Sequence, residues 1–114
     1  MLNQLNRLKK NQEFQRVYQH KKSFVGRYLV LYLKKNNLNY TRFGFVVSKK
    51  IGKAVERNKI KRRMKEVCRL SFDSFAAGYD LIFVARRKIK GISYQLVEQE
   101  IEKLSTRAGI LKNE

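Results

Sequence analysis

Between Lys49 and Arg69 the chain reads K-K-I-G-K-A-V-E-R-N-K-I-K-R-R-M-K-E-V-C-R, dense positive charge laid over an apolar pattern at helical spacing. At about 100° per residue, Ile60, Met64, Val67 and Ser71 gather on one side, and Asn58, Lys61, Arg62, Lys65 and Arg69 on the other. Any fold that contains this stretch must supply a core for the first face and leave the second to solvent or to anions. Solvated helices mix the signs of their charges, but here only Glu56 and Glu66 interrupt the basic residues. The pattern points to a polyanionic partner, nucleic acid foremost. Its candidate contacts are Lys49, Lys50, Lys53, Arg57, Asn58, Lys59, Lys61, Arg62, Lys65 and Arg69.

The 114 residues allow one domain with one core, which excludes a multidomain enzyme. Lys and Arg number 27 against nine Asp and Glu, a net charge of +18 that repels itself in a compact chain and is best tolerated when phosphates compensate it. Disorder is the competing outcome for so basic a composition. A hydrophobic content of 43%, thirteen Phe and Tyr, and no proline favour a packed domain instead. Cys68 and His20 are single, so neither an intrachain disulfide nor a clustered Cys/His zinc site can form. Cys68, beside the apolar face of its helix, reads as a partly buried structural thiol, because no base lies near it in sequence. The N-terminus lacks the apolar core of a signal peptide, and no run approaches membrane-spanning length. The sequence therefore predicts a cytoplasmic protein with no membrane partner.

Along the chain, residues 1–10 read as a flexible basic tail. Phe14, Val17 and Tyr18 mark a short amphipathic helix from Asn11 to about His20, with Asn11 as its cap. Tyr28 to Leu33 alternates Tyr28, Val30 and Tyr32 with Leu29, Leu31 and Leu33, a strand with Leu inward and the other set outward. Asn36, Asn37 and Asn39 suggest a turn, and 41–48 the second arm of a hairpin, with Phe43, Phe45 and Val47 on one face. Gly52 permits the bend into the basic helix. Residues 79–85 read as a buried strand, 86–90 as a basic loop, and Ser93 as the cap of a last helix packing through Val97, Ile101, Leu104 and Ala108. Glu98, Glu100 and Glu102 are placed on that helix's solvated side. The expected architecture is α+β, a single domain over 1–114 with a small, mostly antiparallel sheet covered by helices on one face.

The run Ala54-Val55-Glu56-Arg57-Asn58-Lys59-Ile60-Lys61-Arg62 resembles the signature A-V-x-R-N-R-x-K-R-x-x-R-E of the bacterial ribonuclease P protein subunit family. R-L-K-K-N-x-x-F at Arg7–Phe14, V-L-Y at Val30–Tyr32, V-S-K-K-I-G at Val47–Gly52 and F-V-A-R at Phe83–Arg86 extend the resemblance over nearly the whole chain. Lys59 and Lys65 stand where arginine is usual, which keeps the charge but loses the planar two-bond fork. The resemblance implies an α/β sandwich with a left-handed βαβ crossover, a hand that the general rule disfavours. It also implies that Arg57, Asn58, Lys61, Arg62 and Lys65 face a catalytic RNA subunit near its active centre. Phe14, Tyr18, Val30 and Tyr32 would line a cleft for the single-stranded 5′ leader of precursor tRNA. Aromatic platforms in a positive groove suit such a strand, although an aromatic stripe at helical spacing such as Phe14 and Tyr18 normally packs inward as core.

Cleavage by the protein itself would need clustered carboxylates for metal, or an acid and base of near-neutral pKa, and the sequence offers neither. The resemblance places the chemistry of this endoribonuclease on the RNA subunit. It also implies a holoenzyme that requires Mg2+, held by RNA and substrate phosphates rather than by protein side chains. A ribosomal protein of similar size and charge, and a self-sufficient nuclease, are the alternatives.

Overall fold

The computed structural model describes residues 5–112 and contains a five-stranded sheet and three α-helices. The strands are β1 (Asn6–Arg7), β2 (Ser23–Val25), β3 (Leu29–Lys35), β4 (Arg42–Val46) and β5 (Tyr79–Ala85), in the spatial order β1-β4-β5-β3-β2. The helices are α1 (Asn11–Gln19), α2 (Ala54–Leu70) and α3 (Tyr94–Ala108).

The α+β class stands, but the pairing differs from a hairpin meander. β3 and β4 do not pair with each other; β5 lies between them, antiparallel to β3 and parallel to β4. β1 also runs parallel to β4, and β2 antiparallel to β3, so the sheet is mixed rather than mostly antiparallel. The reason is the D-L-I-F-V-A run, whose Asp80, Leu81, Ile82 and Phe83 are all buried. A strand apolar on both faces takes the centre of a sheet, and the displaced hairpin arms flank it.

That central position puts helices on both faces instead of one. On one face Leu29, Leu31, Leu33, Phe43, Phe45, Leu81 and Phe83 pack against Ile60, Met64, Val67 and Cys68 of α2 and against Val97, Ile101 and Leu104 of α3. On the other, Ile82 is fully buried with Leu8 and Val17 beneath α1. α2 is the crossover between the parallel neighbours β4 and β5, the βαβ unit to which the resemblance assigns a left hand.

Three further expectations change. Residues 6–10 are not tail: β1 pairs with β4, the Leu8 amide donates to the Phe43 carbonyl at 2.9 Å, and Leu8 is buried because it closes the small core under α1. The part of the tail expectation on 1–4 lies outside the described residues. Glu100 is buried rather than solvated, since its Oε2 accepts from the amides of Tyr28 at 2.7 Å and Leu29 at 3.1 Å and latches α3 to the start of β3. Cys68 is wholly buried, and that burial pushes its thiol far above the ordinary range.

α1 is pinned to the sheet by Arg42, which bonds Asp80 through Nε and Nη2 at 2.9 and 2.7 Å and reaches Glu13 through Nη1 at 2.9 Å. Glu13 also accepts from the amides of Lys10 and Lys9, the otherwise unpaired donors at the start of α1. Those amides, then Arg42, hold its carboxyl below the ordinary value of 4.5. The stabilisation is therefore complete above pH 4.5 and is lost as pH falls through the lower folded value. Glu13→Gln should lower stability at neutral pH, with the difference from wild type vanishing on acidification. Urea unfolding from pH 7 down to pH 3 checks this; a difference independent of pH would contradict it.

Candidate nucleic-acid interface

A 3-10 turn at Lys49–Ile51 leads from β4 to α2 and leaves Lys49, Lys50 and Lys53 exposed ahead of the helix. Gly52 has extended backbone that any residue could adopt, so its role is not a special turn. Its lack of a Cβ leaves room for the Glu56 carboxyl, which folds back to accept from the Lys53 amide at 3.3 Å. Arg57 closes the same turn by donating to the Gly52 carbonyl at 2.9 Å.

The apolar side of α2 is buried as its periodicity predicts. Both acids on the helix are engaged: Glu56 lies 3.6 Å from Lys90, and Glu66 pairs with Arg69 at 2.7 Å. Arg69 holds the Glu66 carboxyl below its ordinary value through that hydrogen bond. Arg57 and Arg69 are thus partly committed within the protein, while Asn58, Lys59, Lys61, Arg62 and Lys65 have no ion-pair partner among the described residues. Lys59 falls about 60° around the helix from Arg62, on the flank of Arg63 and away from Lys61 and Lys65. Arg63 itself is drawn into the fold, donating to the Ile92 carbonyl at 2.9 Å.

The basic face does not end at the helix. A groove of about 840 Å³ separates α2 from β1 and is walled by Arg7, Lys9, Arg42, Arg62, Lys65 and Arg69, with Glu13 and Glu66 already paired. Arg7 points to the α2 side of the sheet, its guanidinium 5.7 Å from the Phe45 ring centre and its Nε buried without a partner among the described residues. Lys65 is shifted below the ordinary lysine value, first by burial and then by the charges of Arg7 and Lys61. Such crowding of like charge is costly unless an anion enters, which makes the groove an anion-seeking surface. Arg7 was not singled out by sequence because a lone arginine in a basic tail carries no periodicity.

The opposite face of the sheet carries the second surface. α1 crosses the strands, with the Phe14 ring on Gly44 of β4, where a Cβ would leave it no room, and Tyr18 against Tyr32 of β3. The two tyrosines meet edge to face at 5.0 Å and 88°, and burial, then Tyr32, raises the Tyr18 phenol above its ordinary value. Beside α1 the register aligns Val30, Val84 and Val46 in one row across β3, β5 and β4. These valines are half-buried, and Val25 of β2, paired with Val30, is 55% exposed. Phe14, Tyr18, Val30 and Tyr32 are therefore brought together, half-buried, in one apolar patch on the α1 face of the sheet. Val46 and Val84 belong to it too. Sequence reading missed them because they look like ordinary strand residues until the strand order is known. Tyr28 is not part of it; it precedes β3 and packs on the α3 side.

These features define a class: a small basic α+β domain with a cationic groove on one side of its sheet and a half-buried apolar, aromatic patch on the other. Among the described residues no three His, Cys, Asp or Glu cluster as metal ligands, and no helix is long and apolar enough to cross a membrane. The family model described as Ribonuclease P matches residues 2–109. The ribonuclease P protein component of Clostridioides difficile is 42% identical over 109 residues, covering 95% of this chain and 96% of the relative; that of Pelotomaculum thermopropionicum is 45% identical over 106 residues, covering 93% and 95%. Among solved structures, the RNase P protein of Staphylococcus aureus superposes with a TM-score of 0.87 at 33% identity, covering 96% of this chain and 100% of that one. The Thermotoga maritima protein gives 0.83 at 30% identity, covering 90% and 96%. The chain belongs to the ribonuclease P protein family, whose members are protein components of the ribonucleoprotein enzyme that processes tRNA. The ribosomal-protein alternative falls with this assignment.

Proposed function

We propose that the groove between β1 and α2, with the Lys49–Lys53 turn, binds the catalytic RNA subunit, and that the cleft beside α1 binds the 5′ leader of precursor tRNA. The holoenzyme then removes the leader by endonucleolytic hydrolysis and leaves a mature 5′ end. The observation that carries this reading is the adjacency of the two surfaces. The valine row lies where β4 runs directly into Lys49, Lys50 and Lys53, so a strand leaving the RNA face meets the cleft at once. Half-buried aromatics next to unpaired cations are what a single strand with exposed bases requires.

The protein's own groups fit a binding role. Cys68 is sealed in the core, His20 is the only imidazole, and Asp80, Glu13 and Glu100 are occupied by Arg42 and by backbone amides. With no nest of free carboxylates among the described residues, the side chains do not fit a protein-held Mg2+ site. On this reading Mg2+ is ligated by RNA and substrate phosphates, and the chemistry belongs to the RNA. The protein lowers the repulsion between two polyanions and holds the leader in place.

Arg62 and Lys65 are the best probes of the RNA face, because neither supports the fold as Arg57 does. Arg62→Ala with Lys65→Ala should weaken assembly with the RNA and reduce the slope of log affinity against log salt by about two. A salt titration showing an unchanged slope would remove this helix from the interface. Phe14→Ala with Tyr32→Ala should weaken binding of precursor tRNA by about tenfold or more, the worth of one to two stacked bases, while sparing mature tRNA. Equal losses for the two substrates would refute the leader assignment.

A further inference from the structure

Between the last turns of α2 and the outer half of α3 the surface changes character. A groove of about 280 Å³ is walled by Leu70 of α2 and by Glu98, Glu102 and Ser105 of α3, with Phe75 and Leu111 closing its end. Although the chain carries a net charge of +18, no lysine or arginine lines this groove. Three carboxylates among the described residues make neither an ion pair nor a hydrogen bond, and they are Asp73, Glu98 and Glu102. Two of them stand in the groove wall, and Asp73 directly precedes Ser74, which also lines it. The neighbouring cations turn elsewhere. Arg69 is paired with Glu66, and Lys103 and Arg107 lie about 140° and 180° around α3 from Glu98. Lys112 is exposed after Leu111 at the closed end.

The floor is apolar but holds an unused polar group. Ser105 is fully buried, and its Oγ has no hydrogen-bond partner among the described residues. A serine inside a helix ordinarily returns its hydroxyl to the carbonyl one turn back, as Ser71 across the groove does to Val67 at 2.7 Å. Leu70 at the rim is 64% exposed, a large apolar side chain beside a cavity it does not fill. The closed end is firm: Phe75 and Leu111 pair as a β-bridge, with the Ala76 amide donating to the Ile110 carbonyl and the Lys112 amide to the Ser74 carbonyl, both at 2.7 Å. Such a groove is smaller than the usual small-molecule pocket and of a size to take one or two side chains.

Neither RNA surface reaches it. Val67 and Leu70 lie about 160° and 140° around α2 from Lys65, on the flank turned toward α3. A phosphate backbone is repelled by free carboxylates, so the groove selects against the partner that the rest of the surface attracts.

We propose that the α2–α3 groove docks a protein partner through a short basic and apolar segment, one or two aliphatic side chains entering against Leu70 and Phe75 while flanking lysines or arginines meet Glu98, Glu102 and Asp73. Charge complementarity names the occupant: only a cationic ligand gains from these carboxylates, and only an apolar one gains from the floor. The Ser105 hydroxyl is then free to bond the backbone of the incoming segment. This inference stands apart from the assignment of the two RNA surfaces.

The test titrates the isotope-labelled full-length chain, free of RNA, with the capped peptide acetyl-Lys-Leu-Leu-Lys-amide and follows backbone amide shifts. Saturable shifts should be centred on 70–75 and 98–105, and should be absent with the Glu-for-Lys and Ser-for-Leu peptides. Glu98→Gln with Glu102→Gln should weaken the peptide about fivefold, the worth of two exposed ion pairs. Ser105→Ala should weaken it by a similar factor without lowering the unfolding midpoint, since the lost hydroxyl bonds nothing in the fold. The glutamine variant should cleave precursor tRNA at the wild-type rate in the reconstituted holoenzyme. No saturable shift, shifts centred elsewhere, or equal affinity for the glutamine variant would overturn the proposal. So would a loss of precursor tRNA cleavage by that variant, which would assign the groove to the RNA machinery. Equal shifts from n-butylamine would make the site one for small amines, and the same shifts on raising protein concentration alone would make the occupant a second copy; either result replaces the proposed partner.

Discussion

Burial of β5 on both faces is the constraint from which the rest of this architecture follows. Leu81 and Phe83 need a layer of apolar partners on one side and Ile82 needs one on the other. The strand must sit centrally, hydrogen-bonded at both edges, and α2 must return over one face to connect β4 to it in parallel. The other face is covered only by the nine-residue α1, which crosses the strands and leaves the valine row half open. A single core requirement thus produces two surfaces of opposite character. The crossover helix turns a charged face outward, and the short helix leaves an apolar cleft beside itself.

Electrostatics reinforces that division of labour. Most carboxylates are engaged within the protein: Glu13 and Asp80 on Arg42, Glu56 beside Lys90, Glu66 on Arg69, and Glu100 on two backbone amides. Among the described residues Asp73, Glu98 and Glu102 remain, exposed in the turn after α2 and on α3, away from the groove between α2 and β1. Many of the other cations, Lys59, Lys61, Arg62 and Lys65 among them, have no ion-pair partner among the described residues and lie where a polyanion can reach them. Arg7, Lys61 and Lys65 crowd together beside the groove. Such self-repulsion opposes compactness, and bound phosphates would relieve it.

Local periodicity carried much of this into the sequence. The α2 faces, the Leu-in strand β3, the buried β5 and the Ser93-capped α3, whose cap hydroxyl accepts from the Leu96 amide, were all legible because each is a pattern within a few residues. What failed depends on long-range pairing. The asparagine turn after β3 looks like a hairpin, and only the competition of β5 for both neighbours shows that it is a wider connection. β1 is too short for any alternation, and its two residues form a strand because β4 offers an open edge. Glu100 sits on the helix flank where charge is expected in solvent, but two unpaired amides at Tyr28 and Leu29 draw it inward. Val46 and Val84 join the cleft through register alone.

The central claim is that one sheet separates two RNA contacts, the catalytic RNA on the α2 side and the leader on the α1 side. It is tested most directly by placing a short photo-crosslinking group at residue 62 of α2 or at residue 84 of β5 in the assembled holoenzyme bound to labelled precursor tRNA. The account predicts that position 62 crosslinks to the catalytic RNA and position 84 to the leader, with the latter lost when mature tRNA is substituted. Crosslinks from both positions to the same RNA, or a position-84 crosslink that persists unchanged with mature tRNA, would contradict it.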